Sequence, residues 1–332
     1  MRTAAVAMVQ VLRGDRIESE HAGHAVVCRP DGSIVAAWGD PEAVIYPRSS
    51  CKMLQALPLV ESGAAAGLGD DALALACASH QGAAMHTGRV AQWLAELGLT
   101  EADLRCGTHW PHDTETRDAL IRSGASPCQL HNNCSGKHAG FLHLGRHLGA
   151  GPDYIDPDHP VQRAVRAAFE EVTGAPSPGH AIDGCSAPNF ATRLSGLAGA
   201  MARFAEAAVT GGYDRRGRAM ARLCDAMVAH PELVAGEGRS CTELMRAMGG
   251  QVAVKTGAEA VFVAILPRQR LGVALKIADG ATRASEAAIA RLLVHLGALS
   301  PDAPVCRRLV DAELRNWQGT PTGRIIPAPG FP

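Results

Sequence analysis

Ser49 and Lys52 stand three residues apart in Tyr46-Pro47-Arg48-Ser49-Ser50-Cys51-Lys52, a stretch that leads into the apolar run Met53-Leu54-Gln55-Ala56-Leu57. Pro47 and the two serines read as a helix start. On a helix, residues three apart share a face, so the hydroxyl and the amine are expected one above the other. A serine is a poor nucleophile until a neighbour takes its proton, and a neutral lysine amine can do that. Taken alone, the same four residues also describe an ordinary helix cap followed by a solvated lysine.

The lysine count gives the motif its weight. Lys and Arg together number 32, yet the only lysines are Lys52, Lys137, Lys255 and Lys276. The chain answers nearly every demand for positive charge with arginine. Arginine cannot be deprotonated in a protein, whereas a partly buried lysine can. Three of the four lysines fall in motif-like settings: Ser49-x-x-Lys52, Cys134-Ser135-Gly136-Lys137 and Lys255-Thr256-Gly257. A Lys-Thr-Gly strand paired with Ser-x-x-Lys is the arrangement of penicillin-recognising serine enzymes, where the glycine lets substrate approach the backbone.

Other stretches carry ligand-type residues. Cys77-Ala78-Ser79-His80 ends an apolar run with a second hydroxyl and an imidazole. His131-Asn132-Asn133-Cys134-Ser135-Gly136-Lys137-His138 contains two of the four asparagines of the chain side by side, and Asp183-Gly184-Cys185 adds a thiol and a carboxylate. Two thiolates with nitrogen donors suit zinc, although the spacing matches no standard finger. His109, His112, His143 and His147 read as surface or core polar groups. His143 and His147 lie four apart, but no glutamate completes a His-Glu-x-x-His signature.

A chain of 332 residues, 47% hydrophobic, can bury a sizeable core. A net charge of −1 and an aromatic content of 4% argue against a nucleic-acid partner. No run of eighteen apolar residues exists, so no membrane span is expected. The start Met1–Gln10 reads as a first strand, not a signal peptide. Ten cysteines without a Cys-x-x-Cys pair suit thiols in a reducing compartment, which points to the cytoplasm.

The elements that position these residues follow from periodicity. His24–Cys28 and Ser33–Trp38 flank Arg29-Pro30-Asp31-Gly32, a hairpin signal. Residues 50–250 read as mainly helical, with amphipathic segments at Val90–Leu97, Val161–Glu171 and Arg218–Ala229. Strand character returns at Gln251–Gly257, Ala260–Leu266 and Leu271–Ile277, then a helix over Ala281–Leu299 and an extended tail over Gly319–Pro332. An α/β fold is expected, as one catalytic unit over residues 1–332. Its antiparallel sheet joins segments at about 1–45 and 250–280.

Five of these motifs, in the same order, resemble the rhizobial-type (class 3) L-asparaginases: Arg48–Lys52, Cys77–His80, Asn132–His138, Asp183–Cys185 and Val254–Gly257. The likeness runs over nearly the whole chain. It implies a fold similar to serine β-lactamases and glutaminases, a homodimer, and hydrolysis of L-asparagine to L-aspartate and ammonia. It further implies two Ser–Lys couples, Ser49 with Lys52 and Ser79 with Lys255, and a zinc ion on Cys134, Lys137 and Cys185. Arg48 and Asp183 occupy family positions near the substrate, and His80 and Asn133, within the same motifs, complete the expected substrate-binding set. A glutaminase, a penicillin-recognising hydrolase and a non-catalytic zinc or amino-acid sensor are the competing readings.

Overall fold

The computed structural model describes residues 4–332, and Met1–Thr3 of the expected first strand lie outside the described residues. Along the chain the strands are β1 (Val6–Arg13), β2 (Arg16–Cys28), β3 (Ile34–Trp38) and β4 (Val44–Ile45), then β5 (His180–Ile182), β6 (Pro188–Phe190) and β7 (Thr192–Arg193). They close with β8 (Ala253–Gly257), β9 (Val261–Leu266), β10 (Leu271–Ile277), β11 (Ala312–Arg315) and β12 (Pro321–Pro327). The helices begin with α1 (Lys52–Glu61), α2 (Asp70–Ala76), α3 (Ala84–Glu96), α4 (Thr114–Ser123), α5 (Ser135–His147) and α6 (Pro160–Thr173). They continue with α7 (Leu194–Thr210), α8 (Arg215–Ala229), α9 (Pro231–Val234), α10 (Ser240–Ala247), α11 (Thr282–His295) and α12 (Pro304–Leu309).

The chain divides into two compact units, each assembled from separate stretches of chain. Of the described residues, the first takes 4–50, 192–206 and 243–332, and holds the large sheet. Its strand order is β11-β12-β1-β2-β10-β9-β8, with β3 also on β2, and all described pairings are antiparallel. The expected hairpin is β2–β3, closed by the Gly32 N–H on the Arg29 carbonyl at 2.9 Å. β9 is buried at every residue, as a continuous apolar run covered on both faces must be. α11 packs on β1, β9, β10 and β12. The start of α7 comes so close that a Cβ on Gly272 of β10 would stand 2.1 Å from the Ala198 carbonyl.

The architecture is the one expected: α/β, with an antiparallel sheet built from N- and C-terminal segments and a middle region of the chain that is mainly helical. The sheet is wider than residues 1–45 and 250–280, because the tail is not merely extended. It forms β12, which pairs with both β1 and β11. Its Pro/Gly content hid that strand, which depends on a partner more than 300 residues away.

The second unit takes residues 51–191 and 207–242. Its centre is α1, buried continuously from Lys52 to Leu59 and packed against α5, α6 and α8. A helix apolar nearly all round belongs inside. α2 packs against α3, α5, α8 and α9.

Candidate active site

In the second unit the amine of Lys52 is enclosed. Lys52 opens α1 and is 1% exposed. Its Nζ donates to the Ala78 carbonyl, lies 3.5 Å from the Asn133 carbonyl, and meets Ser79 Oγ at 3.1 Å. With two N–H groups spent on carbonyls, the third position on the nitrogen faces the serine. The lysine that the spacing assigns to Ser49 therefore hydrogen-bonds Ser79.

Ser79 reaches this place because α2 stops at Ala76 and the chain runs on as an anchored segment. The Ser79 N–H donates to the Val234 carbonyl (2.8 Å) and the His80 N–H to that of Asn133 (3.2 Å). Both N–H groups are thus spent within the protein. α5 approaches α2 at Gly136, where a Cβ would lie 2.4 Å from the Leu75 carbonyl oxygen. Only glycine fits, and that closeness sets the start of α5 beside the Ser79 segment.

Cys134 precedes α5 and Lys137 lies in its first turn, while Cys185 sits on the loop joining β5 to β6. That loop is closed by the Asp183 N–H on the Ala187 carbonyl (2.9 Å) and by Ser186 in a left-handed conformation (φ 69°). Lys137 Nζ donates to Cys185 Sγ at 3.1 Å. All three side chains are buried. A hydrogen bond from the Cys134 thiol holds Cys185 well below the usual thiol range, against burial, and Lys137 lowers it further. Cys134, as the donor and buried besides, is pushed up to about 12. Burial opposes the charge on Lys137, but Cys185, Cys134 and Asp183 outweigh it and hold its ammonium above the ordinary lysine range.

Among the described residues, no group of three or more His, Cys, Asp or Glu side chains could hold a metal ion. The Cys134–Lys137–Cys185 set consists instead of two thiols and an amine. Sulfur and nitrogen are the donor types zinc takes, and Lys137 would have to give up its proton to act as one.

The first unit holds Arg48, Ser49 and Lys255. Arg48–Cys51 forms a 3-10 turn leading into α1, with Arg48 at φ 52° and the Ser50 hydroxyl donating to the Pro47 carbonyl (2.7 Å). Left-handed backbone at a non-glycine costs about 1–3 kcal/mol and concentrates at functional sites. Ser49 is half-buried in that turn. Beside it runs the end of β8: a Cβ on Gly257 would lie 2.7 Å from the Pro47 carbonyl and 3.0 Å from the Ser50 nitrogen. The Lys-Thr-Gly strand and the serine turn are therefore backbone neighbours. Lys255 is wholly buried, with Nζ donating to the Thr256 carbonyl at 2.8 Å.

His80 is fully buried. Its Nδ1 accepts from the Gly82 N–H (3.1 Å), so Nε2 carries the proton and donates to Ser135 Oγ (2.9 Å). Nε2 thus ties the Ser79 segment to α5, and Nδ1 holds the turn at Gly82. Burial holds its pKa well below the ordinary value. Asn132 clamps the same region, donating to the Cys106 and Gly107 carbonyls and accepting from the Cys134 N–H. His109, which spacing ties to nothing, accepts the Asn133 N–H at Nε2 (2.8 Å).

The family model described as L-asparaginase II matches residues 9–327. Among curated proteins, none matches the chain. A β-lactamase from Mycobacterium bovis is similar in structure at 12% identity, over 83% of this chain and 95% of that one, with a TM-score of 0.38. An octameric penicillin-binding protein homologue from Pyrococcus abyssi aligns at 11% identity over 90% and 80%, with a TM-score of 0.37. A D-alanine carboxypeptidase from Burkholderia cenocepacia aligns at 13% identity over 80% and 90%, with a TM-score of 0.36.

Proposed function

Because the chain belongs to the L-asparaginase II family, we propose that it hydrolyses the side-chain amide of L-asparagine, with Ser79 attacking and Lys52 as its base. The observation that carries this reading is the buried amine of Lys52 at 3.1 Å from Ser79 Oγ. The serine oxygen bonds to the amide carbon while its proton passes to Lys52. Lys52 returns the proton to the departing nitrogen, which leaves as ammonia. Water, deprotonated by the same amine, then cleaves the aspartyl ester and frees the serine. Arg48, Asn133 and Asp183 are assigned to the substrate, and the buried Lys255 to proton transfer or substrate anchoring, on the resemblance of their motifs.

Cys134, Lys137 and Cys185 are the residues that would hold zinc. When bound, the metal supplies a fixed positive charge to the site. Metal analysis of the purified protein should find about one zinc per chain, and Cys134→Ala should lose it. A chain that binds no zinc from a buffered excess removes this part of the proposal.

A second reading makes Ser49 the nucleophile, favoured by its Ser-x-x-Lys spacing and by the left-handed backbone at Arg48. Ammonia release from asparagine, measured for Ser79→Ala and Ser49→Ala, separates the two, together with mass mapping of the trapped aspartyl ester. The proposal expects the ester on the peptide containing Ser79; an ester on Ser49 transfers the role. The same assay with glutamine and with a chromogenic β-lactam tests the glutaminase and penicillin-recognising readings. Asparagine binding without turnover would favour the sensor. A homodimer in the cytoplasm belongs to the proposal, and sedimentation of the purified protein tests its dimer.

A further inference from the structure

Resting on the assignment of Lys52 and Ser79, we propose that His109 is a positioning residue for that couple, acting through Asn133. Asn133 is pinned at both ends of its backbone. Its carbonyl takes the N–H of His80, the residue after Ser79, at 3.2 Å, and lies 3.5 Å from Lys52 Nζ. Its N–H donates to His109 Nε2 at 2.8 Å. That bond fixes the protonation of the ring: Nε2 must offer a lone pair, so the proton sits on Nδ1, which donates to the Trp110 carbonyl at 2.8 Å.

A backbone N–H that is half-buried and points at a lone pair has no freedom to drift. Removing the acceptor releases Asn133, and with it both the carbonyl that orients the Lys52 amine and the anchor of the Ser79–His80 segment. His109 touches neither substrate nor reacting atoms in this scheme. It sets the distance between hydroxyl and amine.

The test uses two variants of the full chain. His109→Phe keeps a ring but has no acceptor, and His109→Gln returns an acceptor oxygen at about the position of Nε2. For His109→Phe, kcat on asparagine should fall ~10- to 100-fold with KM little changed, the mark of lost geometry and not lost binding. Hydrogen exchange of the Asn133 amide should speed up at least about tenfold, and His109→Gln should restore both. A His109→Phe enzyme within about twofold of the parent kcat overturns the proposal, as does a Gln variant that protects the amide but does not restore kcat. An unaltered chain that releases no ammonia from asparagine sinks the functional assignment itself. Amide exchange, which needs no turnover, still reports whether the His109–Asn133 bond exists.

Discussion

At the scale of the residue, the lysines explain most. The chain has four against 28 arginines, and Lys52, Lys137 and Lys255 are 1%, 3% and 0% exposed. Burying an amine is costly unless partners repay it, and each of the three has them: carbonyls and a hydroxyl for Lys52, a thiol for Lys137, a carbonyl for Lys255. Lys52→Met keeps the bulk of the stem while removing the lone pair. It should lower the rate of ammonia release at least about a hundredfold, the upper range of a positioned base. An active Lys52→Met variant, melting as the parent does, would strip the amine of its role. Residue types singled out Lys52 and the thiol–amine set as candidates, whereas Ser79 stood in a commonplace Ser-His setting. That Lys52 bonds to Ser79 was not, because this hydrogen bond joins residues 27 apart on different elements.

At the scale of the element, two glycines set the close approaches. Gly136 lets the first turn of α5 lie on the Leu75 carbonyl, and Gly257 lets the end of β8 lie on the Pro47–Ser50 turn. In both cases an added Cβ meets backbone, which cannot rotate away. Gly136→Ala should cost about 1–3 kcal/mol, read as a lower denaturant midpoint at unchanged slope. Gly257→Ala should cost about as much. A parent-like midpoint in either variant would show that these backbones yield. The glycines were visible within their motifs. Their reason was not, since a close approach is a relation between two elements and leaves no trace in one.

At the scale of the whole molecule, buried histidines tie stability to pH. His80 and His86 stack at 4.8 Å, both buried, and burial lowers the pKa of each below the ordinary 6.5. Below pH 6.5 the unfolded chain takes up protons that the folded imidazoles refuse. Their contribution is thus complete above that pH and lost as pH falls toward their folded values. Each adds a slope of up to about 1.4 kcal/mol per pH unit. The melting temperature should therefore drop between pH 6.5 and pH 5, and His80→Gln should flatten the slope; an equal slope in that variant would contradict it. By itself the sequence determined the α/β class, the core strands β9 and β10 and the central helices, and it named candidate chemical groups. Those follow from periodicity and residue type, which are local. Only the tertiary structure decided that the tail is a sheet strand, that Lys52 faces Ser79, and that His109 holds Asn133. Each of these is a pairing across distant chain positions, where the partner is chosen by packing and not by spacing.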